Sequence, residues 1–200
     1  AGGAYLAHVL TGEKLSINEV IMCAAAAEGY TSGSIHADNV APCILGGFTI
    51  IRSYEPFEVL KIDPPKDLGL VVALPDVLVA TADARKVLPH EVPVKDLVFH
   101  VGHAMMTDDL PLIGRSVADM VFEPARAPLV PHLKEAEKAA MNHGAIVSFL
   151  GGSGPCVMSF YDKSTHKGEV IAESVRKVFN DNNMKCDIWV TDCGTGCRRL

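Results

Sequence analysis

The chain has 200 residues, of which 48% are hydrophobic and 21% are charged, and its formal net charge is −6 at pH 7. These values are ordinary for globular proteins, and the length is enough for one large or two small domains. Basic residues form no cluster and no apolar run reaches about 18 residues, which argues against a nucleic-acid surface and a transmembrane helix. The six cysteines form no C-x-x-C pair, so we expect free thiols in a reducing compartment.

The first strongly patterned element is a helix predicted over residues 16–28. Ser16 and Glu19 form an S-x-x-E capping box, and apolar residues then recur at helical spacing. The pattern ends with Glu28 beside Gly29. A carboxylate is unfavourable at the carboxyl end of a helix, so we expect Glu28 to have another partner. Glu28 is therefore either a solvated side chain or the ligand of a divalent cation that also binds nucleotide phosphates.

The segment that follows, up to residue 47, places several polar side chains between glycines. His36, Asp38 and Asn39 can donate and accept hydrogen bonds in several geometries, as a site for a small polar molecule requires. Asp and Asn also cap helices and turns, and this alternative stays open. Strands are predicted at 48–54 and 57–62.

The pattern changes after the proline-rich joint at 63–67, which predicts two domains, 1–63 and 64–200. Beyond it, an order of strand, helix, strand, strand, helix and strand predicts an α+β fold with a ferredoxin-like layer. The predicted strands lie at 68–74, 145–150, 156–161 and 185–191. The predicted helices lie at 94–106, 111–121, 131–143 and 165–180.

Several of these segments together resemble the homoserine kinase family. The most specific string is HADNVAP followed by GGFTI, within residues 28–54. This family belongs to the GHMP superfamily of small-molecule kinases, with galactokinase, mevalonate kinase and phosphomevalonate kinase. The resemblance covers nearly the whole chain and implies the two-domain GHMP kinase fold. Four later segments match in the same order: ALPDVLVATADARKVLP (73–89), FEPARAPLVP (122–131), FLGGSGPCVMSF (149–160) and CDIWVTDCGTG (186–196).

The resemblance implies a phosphotransferase with an alcohol group as acceptor, which uses ATP and Mg²⁺ to phosphorylate the hydroxyl of L-homoserine in threonine biosynthesis. Glu28 matches the magnesium-binding glutamate of the family, and with Arg126 it forms the implied catalytic set. Arg85 and Arg126 would hold the substrate carboxylate, for which planar guanidinium groups are suited. The other implied substrate-binding residues are His36, Asp38, Asn39, Thr81, Gly152 and Gly154.

Each of these groups also has a structural interpretation from the residues alone. Arg85, one helical turn after Thr81, and Arg126, between two prolines, could form surface ion pairs. The string GGSGP at 151–155 could be a tight turn rather than a site where backbone approaches a ligand.

The chain also departs from the family pattern. The superfamily's phosphate loop, a P-x-x-x-G-L-G-S-S-A-type string, does not occur, and the chain begins AGGAYLAHVL. We therefore expect a fragment that lacks the phosphate-binding region and by itself binds ATP poorly. Segment 99–121 is shorter than its family counterpart. Either the helices pack differently here, or a piece has been lost from the gene model.

Two alternative functions stay open. A related GHMP-type kinase could act on another small alcohol such as mevalonate, although HADN and the two arginines favour an amino acid. A non-catalytic lobe is the second alternative, which the missing phosphate loop supports. We expect no nucleic-acid or membrane partner and a cytoplasmic location, with a plastid as the alternative. A homodimer is compatible with the sequence, which does not determine the oligomeric state.

Overall fold

The structure is a computed structural model, and it describes residues 1–33, 35–93, 109–117 and 119–198. The chain divides into two compact units. The first comprises Ala1–Pro64 together with the chain from Cys193 onward, and the second lies within Pro65–Asp192. Within the described ranges, no helix has both the length and the apolar composition that crossing a membrane requires. All six cysteines are free thiols.

The first unit begins with three helices, α1 (Gly2–Leu10), α2 (Ile17–Ser32) and α3 (Val40–Leu45). The predicted capping box at the start of α2 is confirmed. The Glu19 N–H donates to Ser16 Oγ over 3.3 Å, and the Ser16 N–H donates to Glu19 Oε2 over 2.7 Å. These reciprocal bonds satisfy amide groups that have no partner within the first turn of a helix.

The predicted end of α2 at Glu28 is wrong, because the helix continues through Gly29 to Ser32. It ends at Gly33, whose φ of 81° is the left-handed conformation that commonly terminates helices. Gly29 serves packing instead, since a Cβ there would lie 3.1 Å from Cγ1 of Ile35. Glu28 therefore lies a full turn before the end of the helix, and the argument from the helix dipole does not apply to it.

Two antiparallel strands complete the first unit, β1 (Phe48–Tyr54) and β2 (Phe57–Ile62), as predicted. Helix α3 is not among the predicted elements. Pro42 occupies the first turn of α3, where a missing N–H costs no helical hydrogen bond. The core of this unit consists of small and branched apolar side chains: Val20, Ile21, Ala24, Ala25, Ala37, Val40, Ala41 and Ile44.

The second unit contains a four-stranded antiparallel sheet. Its strands are β3 (Leu68–Pro75), β4 (Val147–Leu150), β5 (Val157–Asp162) and β6 (Cys186–Thr191), in the spatial order β4–β5–β3–β6. The predicted α+β class and ferredoxin-like arrangement are confirmed.

Two long helices pack against this sheet, and they correspond to the helices predicted at 131–143 and 165–180. They are α7 (Leu133–Asn142) and α8 (Gly168–Asp181). The core that they form with β3 includes Val71, Ala73, Leu133, Ala136, Ala140, Ile171, Val175 and Phe179.

Three short helices lie between β3 and α7 in the sequence, namely α4 (Thr81–Lys86), α5 (Leu110–Ser116) and α6 (Phe122–Arg126). Single turns of 3₁₀ helix follow α6 (Ala127–Leu129) and β5 (Lys163–Thr165). The helix predicted at 94–106 lies outside the described residues. The helix predicted at 111–121 is too long, because α5 ends at Ser116. Asp119 then accepts hydrogen bonds from the N–H groups of residues 121–123 and starts α6 instead.

Candidate active site

Arg126 is the most completely fixed of the predicted binding residues. It is the last residue of α6, and its guanidinium group donates hydrogen bonds to two backbone carbonyls. Nε donates to the oxygen of Ala84 over 3.3 Å, and Nη1 donates to the oxygen of Gly152 over 2.9 Å. The guanidinium carbon also lies 6.0 Å from the centre of the Phe122 ring, within the range of a cation–π contact. Three separate segments therefore determine where this guanidinium group lies.

The two hydrogen bonds leave part of the guanidinium group available. An arginine has five N–H donors, and Nη2 of Arg126 has no hydrogen-bond partner within the described part of the chain. The side chain is only half-buried. Both partners are carbonyl oxygens rather than carboxylates, so Arg126 forms no surface ion pair with the residues that the structure describes. It can still donate to an anionic group.

Helix α4 brings two more predicted residues into the surroundings of Arg126. Thr81 and Arg85 are its first and fifth residues, and a spacing of four places both side chains on one face. Both side chains are exposed. Ala84, which precedes Arg85, is fully buried and supplies the carbonyl that accepts from Arg126. The backbone of α4 is therefore tied directly to Arg126.

The glycine-rich turn at 151–155 joins β4 to β5 and contains the predicted Gly152 and Gly154. Their φ angles are 60° and 85°, both in the left-handed region that glycine adopts without steric cost. A Cβ on Gly152 would meet no atom within 4 Å, whereas one on Gly154 would lie 3.3 Å from Leu150 and Val130. Gly154 is thus packed against the core, while the space beside Gly152 is open. Gly152 also provides the acceptor for Arg126.

A second group of charged side chains, Glu123, Lys134 and Glu137, connects α6 to the end of β4 and to α7, and sequence reasoning missed it. Glu123 Oε2 accepts a hydrogen bond from the N–H of Leu150 over 2.8 Å, and its Oε1 contacts the ammonium group of Lys134. Lys134 also donates to Glu137 Oε2 over 2.9 Å. The signal present in the sequence was the spacing of three residues between Glu123 and Arg126, which places both side chains on one face of a short helix.

Burial and charge shift the pKa values within this group. Burial, reinforced by the charge of Glu123, raises the pKa of Glu137 to about 7 despite the hydrogen bond from Lys134. For Lys134, burial disfavours the charged form, but the hydrogen bonds and charges of the two glutamates outweigh it and raise its pKa. Lys134 is therefore a permanent cation between two carboxyl groups.

The remaining predicted residues lie in the first unit. Glu28 is exposed on α2, and His36 is half-buried. The backbone N–H of Ala37 donates to the Tyr54 hydroxyl over 3.1 Å, which ties this segment to β1.

The two residues that precede α3 differ in how they use their side chains. Asp38 is exposed, and its Oδ1 accepts the N–H of Asn39 over 3.1 Å, as the turn alternative predicted. Asn39 is the N-cap residue of α3, but its side chain makes no capping hydrogen bond. The capping interpretation therefore does not account for Asn39.

Among the described residues, the side chains that could bind a metal suit only a magnesium site in which phosphates and water supply most of the ligands. No group of three or more His, Cys, Asp or Glu side chains among them could hold a metal ion. Magnesium often binds through one or two carboxylates, with phosphates and water as its other ligands. The exposed carboxylate of Glu28 fits that pattern.

The predicted site residues thus divide between the two units. Glu28, His36, Asp38 and Asn39 belong to the first, and Thr81, Arg85, Arg126, Gly152 and Gly154 belong to the second. Within the second unit, Arg126 joins α4 to the glycine-rich turn.

Comparison with known proteins agrees with this fold. Residues 103–181 match the family model described as GHMP kinases C terminal. The structure of mevalonate kinase superposes with a TM-score of 0.62 over 93% of this chain and 60% of that chain, but at 14% sequence identity it supports the fold alone. The chain is therefore similar to GHMP kinases within its second unit.

Homoserine kinases are among the proteins that the chain resembles in sequence. The chain is 37% identical to homoserine kinase from Chlorobium phaeovibrioides and 39% identical to that from Methanococcus maripaludis, over 97% and 98% of its length. The crystal structure of homoserine kinase from Cytophaga hutchinsonii superposes with a TM-score of 0.88 at 34% identity, covering 97% of this chain and 63% of that chain. The chain spans 63% and 64% of the two curated relatives.

Proposed function

We propose that this chain forms the substrate-binding part of a homoserine kinase, which transfers the γ-phosphoryl group of ATP to the hydroxyl of L-homoserine. A bond forms between the hydroxyl oxygen and the γ-phosphorus, while the bond from that phosphorus to the β–γ bridging oxygen breaks. ADP and O-phospho-L-homoserine are the products, and the hydroxyl proton is released. The arrangement of Arg126 between α4 and the glycine-rich turn is the observation that carries this proposal.

Arg126 and Arg85 act on the carboxylate of the substrate. Homoserine is a zwitterion, and its carboxylate requires donors that are both charged and directional. Arg126 has its Nη2 donor group available and is fixed by two backbone acceptors, so little side-chain freedom is lost when it binds a ligand. Each charge-assisted hydrogen bond of this kind contributes roughly 1.5–3 kcal/mol. Thr81 lies on the same face of α4 as Arg85, and we place it beside the same substrate.

The remaining roles are assigned to residues of the first unit. Asp38 is the acceptor for the substrate ammonium group, and His36 and Asn39 shape the pocket around it. Glu28 is the carboxylate that would hold Mg²⁺ together with the ATP phosphates. When bound, that ion would neutralise negative charge on the phosphate oxygens. These roles follow from the matched positions within residues 28–54. A cytoplasmic location and a homodimer are separate parts of the proposal, on which these positions do not bear.

Substrate choice provides the test of the reaction. The protein expressed from its whole gene is supplied with ATP and Mg²⁺ and, separately, with L-homoserine, mevalonate or galactose, and ADP release is measured. We expect homoserine to give a specificity constant kcat/KM at least tenfold above those of the other alcohols. Preferential use of mevalonate would support a related kinase instead, and no product with any of the three would support a non-catalytic lobe.

The role of Arg126 is tested by replacing it with alanine in the same protein. R126A removes the fixed donors to the carboxylate, so we expect the KM for homoserine to rise roughly 10- to 100-fold, as loss of one charge-assisted hydrogen bond implies. The KM for ATP should stay within about twofold. R176A is the matched control, because Arg176 forms a surface ion pair with Glu173 on α8. Equal losses for homoserine and ATP would contradict the role assigned to Arg126.

A further inference from the structure

Helix α6 carries Arg126 but has little means of holding its own position. It has five residues, none of them buried. Isolated helices of that length are unstable in water, and most helical stability in proteins comes from packing of an apolar face. Polar contacts must therefore fix α6, and Asp119 supplies them at its amino end by accepting three backbone N–H groups.

Glu123 supplies the second anchor, and it acts on the segment that Arg126 also contacts. Glu123 Oε2 accepts from the N–H of Leu150 over 2.8 Å, while Arg126 Nη1 donates to the oxygen of Gly152 over 2.9 Å. The two side chains are three residues apart on α6, and their partners are two residues apart at the end of β4. Helix and turn are thus joined by two hydrogen bonds of opposite direction.

The surroundings of Glu123 keep its carboxylate in a defined position. Its side chain is only 11% exposed, and its other oxygen contacts Lys134. Lys134 is in turn held by Glu137 over 2.9 Å, from the next turn of α7. A carboxylate with this little solvent needs a paired cation, and α7 provides it from the packed core of the unit.

We propose that Glu123 is a positioning residue for substrate binding: through Leu150 and Lys134 it sets the distance and orientation of α6 relative to the glycine-rich turn, and thereby aims the guanidinium group of Arg126 at the carboxylate of the substrate. The inference rests on the proposed function, since it assigns Arg126 to the substrate. Glu123 itself contacts neither substrate nor nucleotide in this arrangement.

A double-mutant cycle tests this role in the protein expressed from its whole gene. E123A should raise the KM for homoserine at least tenfold and leave the KM for ATP within twofold. In the R126A background the same change should raise the homoserine KM less than twofold further, because the group that Glu123 positions is gone. E123Q keeps an oxygen for the Leu150 N–H but loses the negative charge that pairs with Lys134, so it should give an intermediate KM.

The pair Glu173 and Arg176 provides a matched control cycle, since it too joins a glutamate and an arginine three residues apart on a helix. E173A, R176A and their combination should leave both KM values within twofold of wild type. If E123A does not fold, the same double-mutant cycle is measured with E123Q or K134M in place of E123A, each combined with R126A.

The outcomes separate the two proposals. An effect of E123A on the homoserine KM that is as large with R126A as without it would overturn the positioning role, as would equal effects on homoserine and ATP. A wild-type protein that does not phosphorylate homoserine would overturn the proposed function itself, and the positioning role with it.

Discussion

Glu137 is the side chain whose ionisation is most strongly perturbed by the fold. Its pKa rises from 4.5 to about 7 because burial disfavours the carboxylate more than Lys134 stabilises it. One of its oxygens, Oε1, is buried and has no hydrogen-bond partner within the described residues. The charged form of Glu137 is therefore a source of instability in the folded protein near neutral pH.

This perturbation predicts how stability depends on pH. Because the folded pKa exceeds the unfolded value, the native state binds the proton more tightly, and stability falls as pH rises from about 4.5 to about 7. The E137Q variant carries no titrating group there. We therefore expect the free energy of unfolding of E137Q, relative to wild type, to increase between pH 5 and pH 8, as measured by urea denaturation.

The control for this experiment is E135Q, which changes the same charge at an exposed position of the same helix. It should give a smaller change with pH. A difference between E137Q and wild type that stays constant over the whole range would show that Glu137 does not titrate as described.

At the residue scale, the sequence indicated the residues that we propose to bind substrate, but not the residues that support them. Arg85 and Arg126 stand in motifs that resemble a known family, and Arg126 makes the contacts of a fixed donor. Glu123 was overlooked because its partner, the N–H of Leu150, lies 27 positions along the chain. A backbone amide leaves no mark in the sequence, and no periodicity connects two such distant segments.

At the element scale, the glycine-rich turn shows two glycines in similar conformations but different surroundings. Gly152 faces open space, whereas Gly154 packs against Leu150 and Val130. Both require a left-handed conformation that costs a residue with a Cβ roughly 1–2 kcal/mol. Only Gly154 adds a steric term to that cost.

The variants G152A and G154A should therefore lose different amounts of free energy of unfolding. We expect G152A to lower the free energy of unfolding by about 1–2 kcal/mol through its backbone conformation alone. G154A should lower it further, because the added methyl group tightens contacts in a packed region by an overpacking cost of about 1–3 kcal/mol. Denaturant unfolding at one pH measures both, and an equal loss in the two variants would refute the distinction.

The elements that were predicted well are those with a long apolar period. Helix α8 and the strands of the second unit bury regular faces, so their pattern is visible in the sequence. The end of α2 was misplaced because Gly29 resembled a stop signal, while its actual function is to admit Ile35. Helices α3 and α6 are short and contain prolines, and side-chain hydrogen bonds rather than periodicity start α6.

At the scale of the whole molecule, the order of elements was enough to predict the architecture of the second unit. An order of strand, helix, strand, strand, helix and strand leaves few arrangements that bury both helices on one sheet, and the observed order β4–β5–β3–β6 is one of them. It was harder to predict which residues belong to the first unit, because the segment from Cys193 onward is part of that unit although it lies at the far end of the sequence.

Binding of substrate should be visible in the stability of the whole protein. A ligand present at 100 times its Kd stabilises the native state by about 2.7 kcal/mol if it does not bind the unfolded chain. We expect this gain with L-homoserine in the protein expressed from its whole gene, measured by chemical denaturation. Mevalonate at the same concentration should give no gain, and R126A should lose the gain from homoserine. Stabilisation of R126A equal to that of wild type would contradict a role for this arginine in binding.

The acceptors that hold Arg126 are main-chain oxygens of Ala84 and Gly152. A main-chain oxygen is supplied by every amino acid, so the residue types at these two positions can change without removing the anchor, provided that the local backbone path is kept. A redesign of the proposed binding site for a different hydroxylated acid could therefore change the side chains around Arg126, while the guanidinium group keeps both of its hydrogen bonds.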